Sequence, residues 1–353
     1  FDYNLFDEIS IQANDENSIK DLFLKSLWEV DRVEWVYDLP GKVDRAPASD
    51  SAVTKRLLAL MKAAENEVII QSPYVVLSED VQQVFNQLKK KKEEVAVVIS
   101  TNSLAATDNW VTYAANYKEK RVYLEELNLQ MWEFKPIPTD ISKMMSYEKL
   151  LSRYPFRREL PLLGVSDFKI NKSLPVIESS TNFLKIKSQG RKNPHLKTAP
   201  FLSLHAKSFV IDNSVAFVGS YNLDPRSEIY NTELGVIIHD EHFSYRLKKS
   251  IQRDILPRNS YLIAIKKNRP LLSMINMILY RISEKIPFMD LWPIRPHSSF
   301  ELKQNQLIVP VGHRDFFKNW KDVGNFPGLP FFTKKQLSAR IFKATAMIFK
   351  PLL

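Results

Sequence analysis

From Ser51 to Phe134 the chain switches repeatedly between helical spacing and short apolar runs, and that alternation restricts it to layered α/β architectures. Ser51 or Asp50 can cap a helix that carries Val53, Leu57, Leu58, Leu60 and Met61 on one side. Glu67–Val76 is an apolar, β-rich run that breaks at Pro73. Glu79–Lys92 returns to helical spacing through Val81, Val84, Phe85 and Leu88, and its lysine run, Lys89–Lys92, suits a helix C-terminus. Val95–Ser100 reads as a second buried strand, Asp108–Glu119 as a helix and Asn128–Phe134 as a third strand.

Residues 136–200 are irregular and hold seven prolines, with a helix predicted at Asp140–Arg153. Phe201–Ile211 and Ala216–Gly219 read as strands around a turn at Asp212–Ser214, followed by a strand at Leu234–Ile238. Beyond residue 240 the patterns predict helices at Phe243–Arg253, Leu271–Ile282 and Thr333–Phe349, with a Pro- and aromatic-rich stretch up to Phe332.

One segment carries chemistry. His205-Ala-Lys207-Ser-Phe-Val-Ile-Asp212 is followed after six residues by Gly219-Ser220-Tyr-Asn222. On a strand, residues two apart share a face, so His205 and Lys207 project together. An imidazole beside an ammonium packs poorly but suits a phosphate. Lys207 offers a point charge to a non-bridging oxygen. His205 can attack phosphorus or protonate a leaving alcohol. Asp212, at the turn, is expected to brace the segment rather than touch substrate. Gly219 and Ser220 let the backbone approach a phosphate, and Asn222 can donate an amide hydrogen bond to it. An imidazole works better with its far nitrogen held by a carboxylate, and Glu233 is the candidate for that.

This segment resembles the HKD signature of the phospholipase D superfamily. The longer string Asn222-Leu-Asp-Pro-Arg-Ser227, with Asn231-Thr-Glu233, looks more narrowly like the bacterial cardiolipin synthase branch. Val36-Tyr-Asp38-Leu-Pro40-Gly-Lys42, Gln71-Ser-Pro73-Tyr74 and Thr101-Asn102-Ser103-Leu-Ala-Ala-Thr107-Asp108 agree with it. The resemblance implies an α/β/α sandwich with a mixed sheet, built as a bilobal pair. It implies a catalytic set of His205, Lys207, Asp212 and Glu233, with Lys207, Gly219, Ser220 and Asn222 on the phosphate. It also implies a phosphohistidine intermediate and phosphatidyl transfer without metal or cofactor. His205 would then be the acid/base. Such enzymes carry two copies of the signature, and this sequence holds one; His195-Leu-Lys197 starts alike but has Leu202 where the Asp belongs. The expected layout is therefore the end of a first repeat at 1–50, a second, catalytic repeat at 51–240 and a basic, partly amphipathic, helical region at 241–353. The partner His–Lys pair would come from an N-terminal half of a longer protein or from a second chain.

Composition narrows the alternatives. There is no cysteine, which removes disulfides, thiolate metal sites and thiol nucleophiles. The net charge of +10 is uneven: residues 1–240 hold 30 Lys and Arg against 33 Asp and Glu, and residues 241–353 hold 20 against 7. A basic C-terminal third points to an anionic partner, either membrane or nucleic acid. In Thr333–Phe349, Ile341, Ala344 and Ile348 line one face beside Arg340 and Lys343, as in a helix lying in a membrane interface or docked on the domain. The leading expectation is a phosphatidyltransferase at the cytoplasmic face of a bacterial inner membrane. It would act on phosphatidylglycerol, with phosphatidylethanolamine as a further candidate substrate. A phospholipase D-type hydrolase, an HKD nuclease and a half-site that binds without turnover are the competing expectations.

Overall fold

A computed structural model describes residues 3–25, 27, 29–42, 51–91, 95–144, 202–267 and 296–328. Ten strands form one mixed sheet in the order β1-β7-β6-β5-β2-β3-β4-β8-β9-β10. They are β1 (Arg32–Tyr37), β2 (Glu67–Gln71), β3 (Ala96–Asn102), β4 (Gln130–Phe134), β5 (Ser208–Ile211), β6 (Val215–Gly219), β7 (Leu234–His239), β8 (Ser260–Ile265), β9 (His297–Leu302) and β10 (Trp320–Gly324). Only β2-β3-β4 are parallel; the other ladders are antiparallel.

The helices in chain order are α1 (Tyr3–Asn14), α2 (Glu16–Ile19), α3 (Ala52–Ala63), α4 (Glu79–Lys89), α5 (Trp110–Arg121), α6 (Ile141–Met144), α7 (Pro225–Ile229), α8 (Glu241–Asp254) and α9 (Phe316–Asn319). Ser51 caps α3 by accepting from Thr54 N–H, and Ser78 caps α4 from Val81 N–H, each satisfying an orphan donor of the first turn.

Side-chain alternation distributes the core over both faces of the sheet. Val68, Ile70, Val97, Ile99, Phe209, Ile211 and Phe217 pack with Val53, Leu57 and Met61 of α3 and Val81, Phe85 and Leu88 of α4. The intervening positions Ile69, Val98 and Val210 pack against Leu247 and Ile251 of α8. The result is the expected α/β/α sandwich. Phe209 and Phe217, cross-strand partners with ring centroids 5.3 Å apart, sit at its centre. Each contributes roughly 1.5–3 kcal/mol by burial.

The sheet crosses both expected segment boundaries. β1, from residues before 51, pairs with β7, and β8, β9 and β10, from residues after 240, extend the sheet beyond β4. The region after 240 is therefore partly strand where helix and irregular chain were expected. α8 agrees with the helix predicted there. The predicted helices at Leu271–Ile282 and Thr333–Phe349, most of that at Asp140–Arg153, and His195-Leu-Lys197 lie outside the described residues. Among the described residues no helix is long and apolar enough to cross a membrane.

Candidate active site

The carboxyl ends of β2, β3, β4 and β6 and the amino ends of β5 and β7 meet along one edge of the sheet. In open α/β sheets that edge is where ligands bind. His205 and Lys207 lie there. They do not belong to a strand as expected: β5 begins at Ser208. Pairing with β2 stops at Gln71, just before Pro73, which has no N–H to offer a ladder. The approach segment is held otherwise. Leu202 N–H donates to Pro136 carbonyl at 2.9 Å, and Lys207 carbonyl accepts from Gly219 N–H at 3.1 Å.

The His205 side chain is exposed. Its ring meets the ring of Tyr74 edge-on, with centroids 6.2 Å apart and planes at 81°. Tyr74 is fixed in turn by donating its hydroxyl to Asp108 Oδ1 at 2.8 Å. Lys207 Nζ donates to the His205 carbonyl at 2.9 Å. Burial lowers the Lys207 pKa, while the carboxylates of Glu233, Asp108 and Asp224 oppose that shift. One ammonium thus stands among three carboxylates.

Glu233 is buried at 3% exposure, but its carboxylate accepts from the Ser220 hydroxyl. Among the described residues no carboxylate holds the His205 ring. The expected Glu233–imidazole bond is replaced by Glu233–Ser220, with Glu233 acting on Lys207 through its charge. Ser220 is fully engaged internally, because its hydroxyl also accepts from Leu234 N–H at 3.0 Å. The backbone around Glu233 is bolted by the Val36–Lys42 string. Asp38 N–H donates to Glu233 carbonyl at 2.8 Å, and Glu233 N–H donates to Asp38 Oδ2 at 3.2 Å. Lys42 Nζ reaches Asp38 Oδ2 at 2.7 Å and the carbonyls of Ser227 at 2.7 Å and Asn231 at 2.9 Å. The sequence showed this string only as a resemblance; its work is to tie the residues before β7 to β1 and α3.

Gly219 has a packing reason to lack a side chain. A Cβ there would lie 2.5 Å from Leu234 carbonyl oxygen and 2.6 Å from the Phe217 ring. Its cross-strand partner is Gly235, where a Cβ would meet the same ring at 2.1 Å. The close approach is made by β7 and Phe217. Asn222 is buried, donates its backbone N–H to Ser227 Oγ at 3.0 Å, and leaves its Oδ1 without a partner among the described residues.

Asp212 is kept out of this cluster. It sits at the far end of β5, about 13 Å away at ~3.3 Å per residue. It accepts from the N–H groups of Glu65 at 2.8 Å, Asn66 at 2.7 Å and Glu67 at 2.9 Å. With Asn213 it forms a left-handed turn, at φ 48° and 55°, a conformation that Asp and Asn tolerate through their short polar side chains. These bonds place Asp212 at the entrance to β2.

Asp224 went unremarked except as part of a motif string. It caps α7 by accepting from Ser227 N–H at 2.9 Å, at 2% exposure. Burial raises its pKa to about 6, against the hydrogen bonds from Ser227. A carboxyl with a raised folded pKa costs stability above that pKa and none below its unfolded value. Asp224→Asn, which keeps the capping oxygen, is therefore expected to stabilise the fold at pH 8. The gain is up to about 3 kcal/mol at 1.36 kcal/mol per unit. It should fade as pH falls from about 6 towards 4, as measured by urea denaturation across that range. A pH-independent difference between the two proteins would refute the assignment.

Residues 57–255 match the family model described as "Cardiolipin synthase, PLD-like domain". Cardiolipin synthase C of Escherichia coli K12 is 26% identical over 234 residues, which are 66% of this chain and 38% of that protein. Cardiolipin synthase B of the same strain is 48% identical over 48 residues, 14% of this chain and 12% of that protein. The chain thus spans under two fifths of either relative. Among solved structures, Nuc from Salmonella typhimurium, a phospholipase D family member, is 14% identical at a TM-score of 0.35, covering 65% of this chain and 95% of that one. Phosphatidylserine synthase from Haemophilus influenzae is 13% identical at a TM-score of 0.39, covering 72% and 46%.

Proposed function

The chain belongs to the PLD-like domain family of the cardiolipin synthases, and on that premise we propose that it is one His–Lys lobe of a phosphatidyltransferase that makes cardiolipin. The observation that carries the reading is the His205–Lys207 pair, poised at the carboxyl edge of the sheet with its imidazole unencumbered by hydrogen bonds among the described residues. Lys207 would hold a non-bridging phosphate oxygen. Asn222 would stand behind it, while Gly219, Ser220 and Glu233 would shape the wall, and Asp212 would brace β5 from the far side. The nucleophile would be a second histidine, from another lobe. It would displace the alcohol of a phosphatidyl donor and form a P–N bond as the P–O bond breaks, and His205 would give the departing alkoxide its proton. The acceptor hydroxyl of phosphatidylglycerol would then return that proton to His205, attack the phosphohistidine and release the second imidazole. Phosphatidylethanolamine is a further donor candidate. With water as acceptor the same residues would perform phospholipase D-type hydrolysis.

Two features support a need for a second lobe. Three carboxylates around one ammonium leave a phosphodiester short of positive charge. On the α8 side of the sheet, Trp35 at 66% exposure, Tyr37 at 56%, Val218 at 42% and Leu234 at 50% form a cross-strand apolar patch that ends at Ser220. Isolated soluble domains seldom leave such a patch open. We further propose a peripheral position on the cytoplasmic membrane face, brought there by the basic residues beyond 240.

The test is a transfer assay on phosphatidylglycerol vesicles, with and without phosphatidylethanolamine. It would use the chain as given and a form extended upstream to include a second His–Lys pair. Cardiolipin from the extended form is the expected result. DNA cleavage without lipid turnover by that form would move the protein to the nucleases.

A further inference from the structure

The His205 ring makes no hydrogen bond among the described residues, so its placement depends on its backbone. Two residues, Ala206 and Lys207, separate it from Ser208, the first ladder residue of β5, which pairs with Gln71, so Leu204 to Lys207 lie outside the β2–β5 ladder. Leu204, immediately before His205, is buried at 9% exposure. A buried backbone N–H and C=O need partners, and no strand supplies them here. Asn102, the last residue of β3, does. Its Nδ2 donates to Leu204 carbonyl at 2.8 Å, and its Oδ1 accepts from Leu204 N–H at 2.9 Å. Nδ2 also reaches Ser203 Oγ at 3.4 Å. An amide side chain is the neutral group that can donate and accept at once in this geometry. It copies a backbone peptide and so supplies the Leu204 backbone with the partners that no strand gives it. Asn102 is itself 1% exposed and stands at the end of a strand paired on both sides.

We propose that Asn102 is the positioning residue for His205: its amide fixes the Leu204 peptide and thereby sets where the imidazole stands against Tyr74 and Lys207. This rests on the reading of His205 as an acid/base, but the placement itself is observable without turnover. A group misplaced by an ångström costs on the order of 10² in rate. In the extended, active protein, Asn102→Ala should lower kcat by about that factor with KM nearly unchanged. Asn319→Ala removes a comparable buried amide, bonded to Leu307 carbonyl at 3.0 Å, at the β10 end of the sheet, and should lower stability without the kcat loss. On the chain as given, the Hδ2 and Hε1 signals of His205, assigned with His205→Gln, sense the Tyr74 ring. They should shift and broaden in Asn102→Ala and stay in place in Asn319→Ala. Should Asn102→Ala fail to fold, Asn102→Ser, whose short hydroxyl cannot bridge both backbone groups, is expected to shift the same signals. Wild-type His205 signals in the folded variant would overturn the proposal whatever the activity. Shifted signals with no transferase activity in any form would keep the placement and sink the functional reading instead.

Discussion

His205→Gln is expected to abolish cardiolipin formation by the extended protein while leaving its unfolding transition where it was. The loss should reach about 10²–10⁴-fold, the usual span for a positioned acid/base group. The separation of activity from stability follows from the geometry. The side chain is exposed and, among the described residues, its ring meets the edge of Tyr74, so its removal opens no cavity and strands no buried partner there. Lys207→Met should lose activity as well, through the charge on the transferring phosphoryl group. The readout is product formation beside urea denaturation. Wild-type turnover in folded His205→Gln would remove the pair from the mechanism.

The largest expected loss of stability lies away from that edge. Lys120 of α5 and Glu133 of β4 form an ion pair at 1% and 0% side-chain exposure. Tyr113 completes it, accepting from Lys120 Nζ at 3.0 Å and donating to Glu133 Oε2 at 3.3 Å. Burial drives the Lys120 pKa down and the Glu133 pKa up, and each charge partly holds the other ionised. Lys120→Met leaves a carboxylate with no cation in the interior, which costs about 3–5 kcal/mol. Glu133 can escape that cost by taking a proton. The folded variant then binds a proton that the unfolded chain has released, so its stability should fall as pH rises from 5 to 8. Lys120→Met with Glu133→Leu should recover most of the loss, since a well-packed apolar pair often equals a buried ionic one. Denaturation of the three proteins at both pH values checks this. A Lys120→Met variant as stable as wild type at pH 8 would contradict it.

Local signals were legible where the chain pairs with itself nearby or stacks on its own neighbours. The Ser51 cap, the apolar faces of α3 and α4, and the β5–β6 hairpin with its Asp-Asn turn all follow from spacing and turn chemistry. The start of β5 was misplaced by several residues because strand character beyond Ser208 needs a partner, and β2 has ended at Gln71. Nothing in Leu204 shows that a side chain from residue 102 will replace that partner. β8, β9 and β10 join the sheet from separate segments of the last third, and their pairing is a long-range outcome with no local mark. His205, Lys207, Gly219, Ser220, Asn222 and Glu233, singled out from the sequence, gather at one edge of the sheet. Their contacts were not legible: that Glu233 faces Ser220, and that Gly219 yields to β7, depends on side chains packing across strands.

The bond network joining β1 to the start of β7 bears on how such a lobe can be inherited. A cassette cut at residue 51 would carry the whole signature, yet it would leave behind Asp38 and Lys42, which grip the peptides of Ser227 within α7, of Asn231 just after it and of Glu233 before β7. The smallest unit that could be duplicated, fused or exchanged with its site intact therefore begins upstream of β1. In a tandem arrangement, the stretch that looks like a linker between two copies already belongs to the second.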